Sequence, residues 1–102
     1  MPKRKLPLIH PGEILREEFL VPLGLSPGKL AKAMGVPRTR VERIAAETSD
    51  ISADTALRLS RALGTSAQLW LNLQTSYDME TARRAIGREL DRIPRVTGKT
   101  AA

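Results

Sequence analysis

The chain is punctuated for helices and for almost nothing else. Ser26 precedes Pro27 and a run closed by Gly35, Ser52 precedes a run closed by Gly64, and Ser66 opens another. A serine at an N-cap accepts from a free N–H of the first turn, and proline suits the first helical position because it lacks that N–H. Glycine at the far end takes the left-handed conformation that closes a helix. Between these marks apolar residues recur at helical spacing: Ile14, Leu15 and Phe19; Leu30, Ala31 and Met34; Val41, Ile44 and Ala45; Ala56, Leu59 and Leu63. The first helix is expected to open at Pro11 and stop at Pro22 and Gly24, and the third to open at Pro37. Asp78 is expected to cap a sixth that carries Ala82, Ile86 and Leu90, with Gly87 as its weak point. The expected fold class is all-α, five to six short helices.

At 102 residues the chain fits one domain, and 41% hydrophobic with 27% charged residues is the composition of a globular protein. With one Phe, one Trp and one Tyr, the core must be mostly aliphatic. The absence of cysteine excludes a disulfide framework, a thiolate metal site and a catalytic thiol. No apolar run approaches the roughly 18 residues of a membrane span. The basic start at Lys3, Arg4 and Lys5 leads to Pro7 and His10 rather than to an apolar signal core, so the expected location is cytoplasmic.

Net charge is +6, unevenly spread. Residues 26–43 hold Lys29, Lys32, Arg38, Arg40 and Arg43 against Glu42 alone, while Glu13, Glu17 and Glu18 precede them. Such a block points to one positive face that binds a polyanion; the bland alternative is a solvated basic surface.

Within that block Ala31 lies four residues before Gly35, and Val41 and Ile44 share one face of the next helix. This is a helix-turn-helix pattern: a small residue admits a close crossing and glycine permits the turn. The outer face of the third helix then holds Arg38, Thr39, Glu42 and Arg43, with Arg40 to one side. Arginine's planar fork suits guanine O6 and N7, and a recognition helix offers its N-terminal residues to base edges. The candidate DNA-binding residues are Ser26, Lys29, Arg38, Thr39, Arg40 and Arg43. A plain helical hairpin with a solvated basic face is the competing reading.

Other residues carry less. His10 is the only histidine, too few for a metal site, and reads as a cap or packing residue of the first helix. Glu13, Glu17 and Glu18 fall opposite Ile14, Leu15 and Phe19, as a solvated face does, rather than as paired catalytic carboxylates. Ser26, Ser52 and Ser66 read as caps, not nucleophiles. No cofactor site, metal site or enzyme activity is expected. Leu69, Trp70 and Leu73 have two readings, core packing or a homodimer seam, because so small a domain seldom buries every apolar residue alone.

His10-Pro11-Gly12-Glu13-Ile14-Leu15-Arg16-Glu17-Glu18-Phe19-Leu20, Pro22-Leu23-Gly24-Leu25-Ser26, Leu30-Ala31 and Gly35-Val36-Pro37 stand in a distinctive order. Ile51-Ser52-Ala53-Asp54-Thr55-Ala56-Leu57-Arg58-Leu59, Gly64-Thr65-Ser66 and Trp70-Leu71-Asn72-Leu73-Gln74 continue it. Over residues 9–80 the chain resembles the HigA/VapI-type antitoxins of the phage-repressor-like (XRE) helix-turn-helix family. That resemblance implies a lambda-repressor-like DNA-binding domain that represses its own operon as a homodimer on palindromic operator DNA. It also implies a protein partner, a HigB-like mRNA endoribonuclease toxin, which the antitoxin neutralises.

The acidic Glu13, Glu17 and Glu18 are the candidate toxin-binding residues, since a ribonuclease that approaches RNA is basic. The expected organisation is a basic arm at 1–9, the helix-turn-helix domain at 10–77, a C-terminal helix at 78–93 and a flexible tail at 94–102. Two departures from the family pattern point either to weaker operator binding than is usual in the family or to a different sequence read. Pro27 replaces a phosphate-holding glutamine, and Ala46-Glu47-Thr48-Ser49-Asp50 is acidic where the family is basic, with Arg40 and Arg43 in partial compensation. A stand-alone repressor without a toxin, and an interaction module whose basic face is incidental or binds RNA, are the competing functions.

Overall fold

The computed structural model describes residues 8–98, and these hold five helices and no strand. Helix α1 is continuous through three segments, Pro11–Ile14, the π-helical Leu15–Leu20, and Val21–Leu23. Then follow α2 (Pro27–Met34), α3 (Arg38–Ala45), α4 (Ala53–Leu63) and α5 (Ala67–Asp91).

The expected caps are in place. Ser26 Oγ accepts from the Lys29 N–H at 3.1 Å, Ser52 Oγ from Thr55 at 3.2 Å, and Ser66 Oγ from Leu69 at 3.0 Å. His10 caps α1, its Nδ1 accepting from the Gly12 N–H at 2.9 Å, and its buried ring stands edge-on to Tyr77 at 4.9 Å. The π segment carries Leu15 and Leu20, both buried. An i→i+5 turn brings positions five apart onto one face, so both reach the core, which the sequence pattern did not reveal.

Leu15, Leu30, Val41, Ile44, Leu59 and Trp70 are among the largest fully buried side chains of that core. Gly12 marks the closest approach: a Cβ there would lie 1.7 Å from the Ile44 carbonyl oxygen, so the start of α1 rests directly on the end of α3. Helix α3 itself ends in a Schellman turn, with Glu47 N–H donating to Ile44 O and Thr48 N–H to Arg43 O, both at 2.9 Å. The left-handed position falls on Glu47 (φ 65°), where glycine is the unstrained choice.

The expected sixth helix does not exist as a separate element. Residues 67–91 form one helix of 25 residues, and Asp78 lies inside it, accepting from Gln74 Nε2 at 3.0 Å. Between Leu73 and Asp78 there is neither Pro nor Gly, and an aspartate alone does not stop a helix that tertiary packing anchors at one end. The expected weak point appears instead as a kink, with non-helical angles at Ile86 beside Gly87. No helix among the described residues is long and apolar enough to cross a membrane.

Candidate nucleic-acid interface

Helix α3 turns Val41, Ile44 and Ala45 into the core and leaves Arg38, Thr39, Glu42 and Arg43 exposed. Its preceding turn is set by Gly35 (φ 71°), whose backbone lets α2 stop and the chain reverse within three residues. Arg38 stands at the first position of α3 with its side chain 71% exposed, 3.4 Å from Glu42. Its aliphatic stem lies over Gly28, where a Cβ would be 3.2 Å from Arg38 Cδ. The start of α2, with Ser26 and the exposed Lys29, is thereby brought beside the start of α3. Arg43 makes no ion pair among the described residues.

Arg40 is differently placed. Its Nη1 meets Asp54 Oδ2 at 2.6 Å, and Arg58 Nε meets the same oxygen at 3.0 Å. Arg58 Nη1 in turn donates to the Met34 carbonyl at 2.7 Å, at the end of α2. The hydrogen bond from Arg40, and then that from Arg58, hold the Asp54 carboxyl below its ordinary value. Asp54 and Arg58 carry no local signal of function in the sequence, since only the packing of α4 against α2 brings them to Arg40.

The acidic turn after α3 is tied inward. Arg16 donates through Nη1 to the Ala45 carbonyl at 2.5 Å, through Nη2 to Glu47 at 3.1 Å and through Nε to Glu17 at 2.8 Å. Its hydrogen bonds to Glu17 and Glu47 raise its pKa. Asp50 accepts from Gln74 Nε2 at 3.2 Å, while Gln74 Oε1 accepts the Ile51 N–H at 2.7 Å. The charge expected to repel phosphate is therefore partly neutralised at Glu47.

On α1, Glu17 and Glu18 are exposed and Glu13 is half-buried. The three apolar residues considered for a dimer seam separate. Trp70 is 0% exposed, packs on Phe19 at 5.4 Å and donates from Nε1 to Thr65 Oγ1 at 2.7 Å. A side chain with no accessible surface in one chain has none to offer a second, so Trp70 belongs to the core. Leu69 is 38% exposed. Leu73 is half-buried in an apolar groove of about 460 Å³ shared with Leu8, Ile9, Ile14, Tyr77 and Met79. The basic residues Lys3, Arg4 and Lys5 lie outside the described residues. Among the described residues no cluster of His, Asp and Glu could hold a metal ion.

A small helical domain that presents the second helix of a tight helix-turn-helix, arginines outward, defines a class of DNA-binding regulators. The comparisons agree. The helix-turn-helix family matches residues 15–70. The chain is 55% identical over 82 residues to virulence-associated protein I of Dichelobacter nodosus, covering 80% of this chain and 76% of the relative. It is 37% identical over 83 residues to antitoxin HigA-1 of Vibrio cholerae, covering 81% and 78%. The solved structure of Pseudomonas aeruginosa antitoxin HigA with the higBA promoter superposes with a TM-score of 0.85 at 46% identity, covering 89% of this chain and 100% of that one. The chain belongs to the XRE-type helix-turn-helix family, in its HigA/VapI-type antitoxin branch. This is a family of regulators, and the chain is not an enzyme.

Proposed function

We propose that this chain is an antitoxin that represses its own operon through α3 and neutralises a HigB-like mRNA endoribonuclease in the cytoplasm. One observation carries the DNA half: Arg38, Thr39 and Arg43 stand exposed on a helix whose opposite face is the core. The HigA relative solved with promoter DNA shares this fold. Read as a homodimer, the protein sets two α3 helices about 34 Å apart on successive major grooves. Leu69 and the exposed C-terminal half of α5 supply the contact.

Replacing Arg38 or Arg43 by alanine is expected to cost about 1–3 kcal/mol of operator binding and to relax preference at one base position. Lys29→Ala is expected to weaken binding to every sequence and flatten the salt slope. A band-shift titration on the native promoter fragment measures both; equal affinity of Arg38→Ala, Arg43→Ala and wild type removes α3 from the interface.

For the toxin half, the exposed acidic face of α1 complements a basic ribonuclease. Co-expression with the product of the adjacent gene is expected to rescue growth and yield a stable complex. Glu18→Lys combined with Glu17→Lys is expected to abolish that complex while sparing DNA binding. Unchanged complex formation places the contact elsewhere, and persistent toxicity with no complex leaves a stand-alone repressor.

A further inference from the structure

The chain of contacts from Met34 through Arg58 and Asp54 to Arg40 crosses three helices at the helix-turn-helix. Arg40 is the third residue of α3, in the turn that a recognition helix presents to base edges. Its side chain is 40% exposed, so the guanidinium is reachable from solvent while one nitrogen is held at 2.6 Å by Asp54. A guanidinium is a planar fork of five N–H donors, and a carboxylate on one nitrogen fixes the plane in which the others lie. Asp54 is fixed in turn by Arg58, which Met34 O anchors to the end of α2. Two guanidinium groups around one carboxylate leave the cluster with net positive charge. An acid on the surface that meets a polyanion lowers affinity through its charge, so its place there asks for a compensating role.

We infer that Asp54 is a positioning residue for operator recognition, holding Arg40 in the one orientation in which its free N–H groups meet operator DNA. This rests on the operator-binding reading of α3 and assigns a role to an acidic residue on α4. Charge and positioning give opposite signs. If Asp54 acted through its charge alone, removing it would tighten binding to operator and to random DNA alike, because one phosphate-repelling group is gone. If it positions Arg40, Asp54→Asn lowers operator affinity about tenfold, the order of one arginine contact, while random-duplex affinity stays level or rises.

The test titrates wild type, Asp54→Asn, Arg40→Ala and the double variant against the native promoter duplex and a random duplex of equal length. Helical content and melting temperature are followed for each, to confirm folded protein. The expected result is loss of operator preference in Asp54→Asn, and no further loss when Asp54→Asn is added to Arg40→Ala. Operator affinity unchanged or raised in folded Asp54→Asn overturns the assignment, as does an undiminished Asp54→Asn effect in the Arg40→Ala background. Wild-type protein that fails to distinguish the promoter from random duplex overturns the operator-binding reading itself.

Discussion

Gly12→Ala is expected to destabilise the protein by about 3 kcal/mol or more, the upper end of what overpacking costs. The added Cβ would lie 1.7 Å from the Ile44 carbonyl oxygen and 2.8 Å from its carbon. Both atoms are backbone, so no side chain can swing aside, and α1 must withdraw from the end of α3. Against a total of about 5–15 kcal/mol for a domain of ordinary stability, such a loss removes roughly a fifth to three fifths of the whole. Urea titration followed by circular dichroism measures it. The control is Gly87→Ala, where nothing lies within 4 Å of the new Cβ and no comparable loss is expected. A Gly12→Ala protein within 0.5 kcal/mol of wild type, a tolerance typical of neutral surface changes, contradicts the close approach. Because Ile44 belongs to α3, the same change is also expected to weaken operator binding through misplacement of Arg38 and Arg43.

Trp70→Ala is expected to cost about 3–5 kcal/mol, the range for deleting a large buried aromatic side chain. The indole is 0% exposed, stacks at a tilt on Phe19 and satisfies its N–H on Thr65. Truncation therefore removes packing and leaves the Thr65 hydroxyl without that donor. Trp70→Phe keeps part of the volume and is expected to lose less. As the indole is spent within its own chain, the deficit is expected to persist in dilute solution, where a residue acting only at a dimer seam would show none. Denaturant midpoints at two protein concentrations, a hundredfold apart, distinguish the two; a deficit that disappears on dilution returns Trp70 to the seam.

The features that the sequence determined by itself are local ones. Each cap links residues two or three apart, so Ser26, Ser52, Ser66 and His10 could be placed from order alone, and the structure puts all four at helix starts. Gly35 and Gly64 close helices because their backbone tolerates positive φ at little cost. The inward face of α3 follows from the spacing of Val41, Ile44 and Ala45, which leaves Arg38, Thr39 and Arg43 outward with no knowledge of the partners inside. What the tertiary structure alone decided are relations between residues far apart in the chain. Arg16 and Glu47 are 31 positions apart, Arg58 and Met34 24, and Arg40 and Asp54 14. Neither periodicity nor capping chemistry carries information about such pairs, because they exist only once helices have packed at particular angles. The same packing ties Arg40, a candidate DNA-binding residue, to the Asp54 carboxylate and draws Trp70 wholly inside. It also carried α5 past Asp78, where no Pro or Gly interrupts the backbone and Gln74 hydrogen-bonds Asp78 along the same helix.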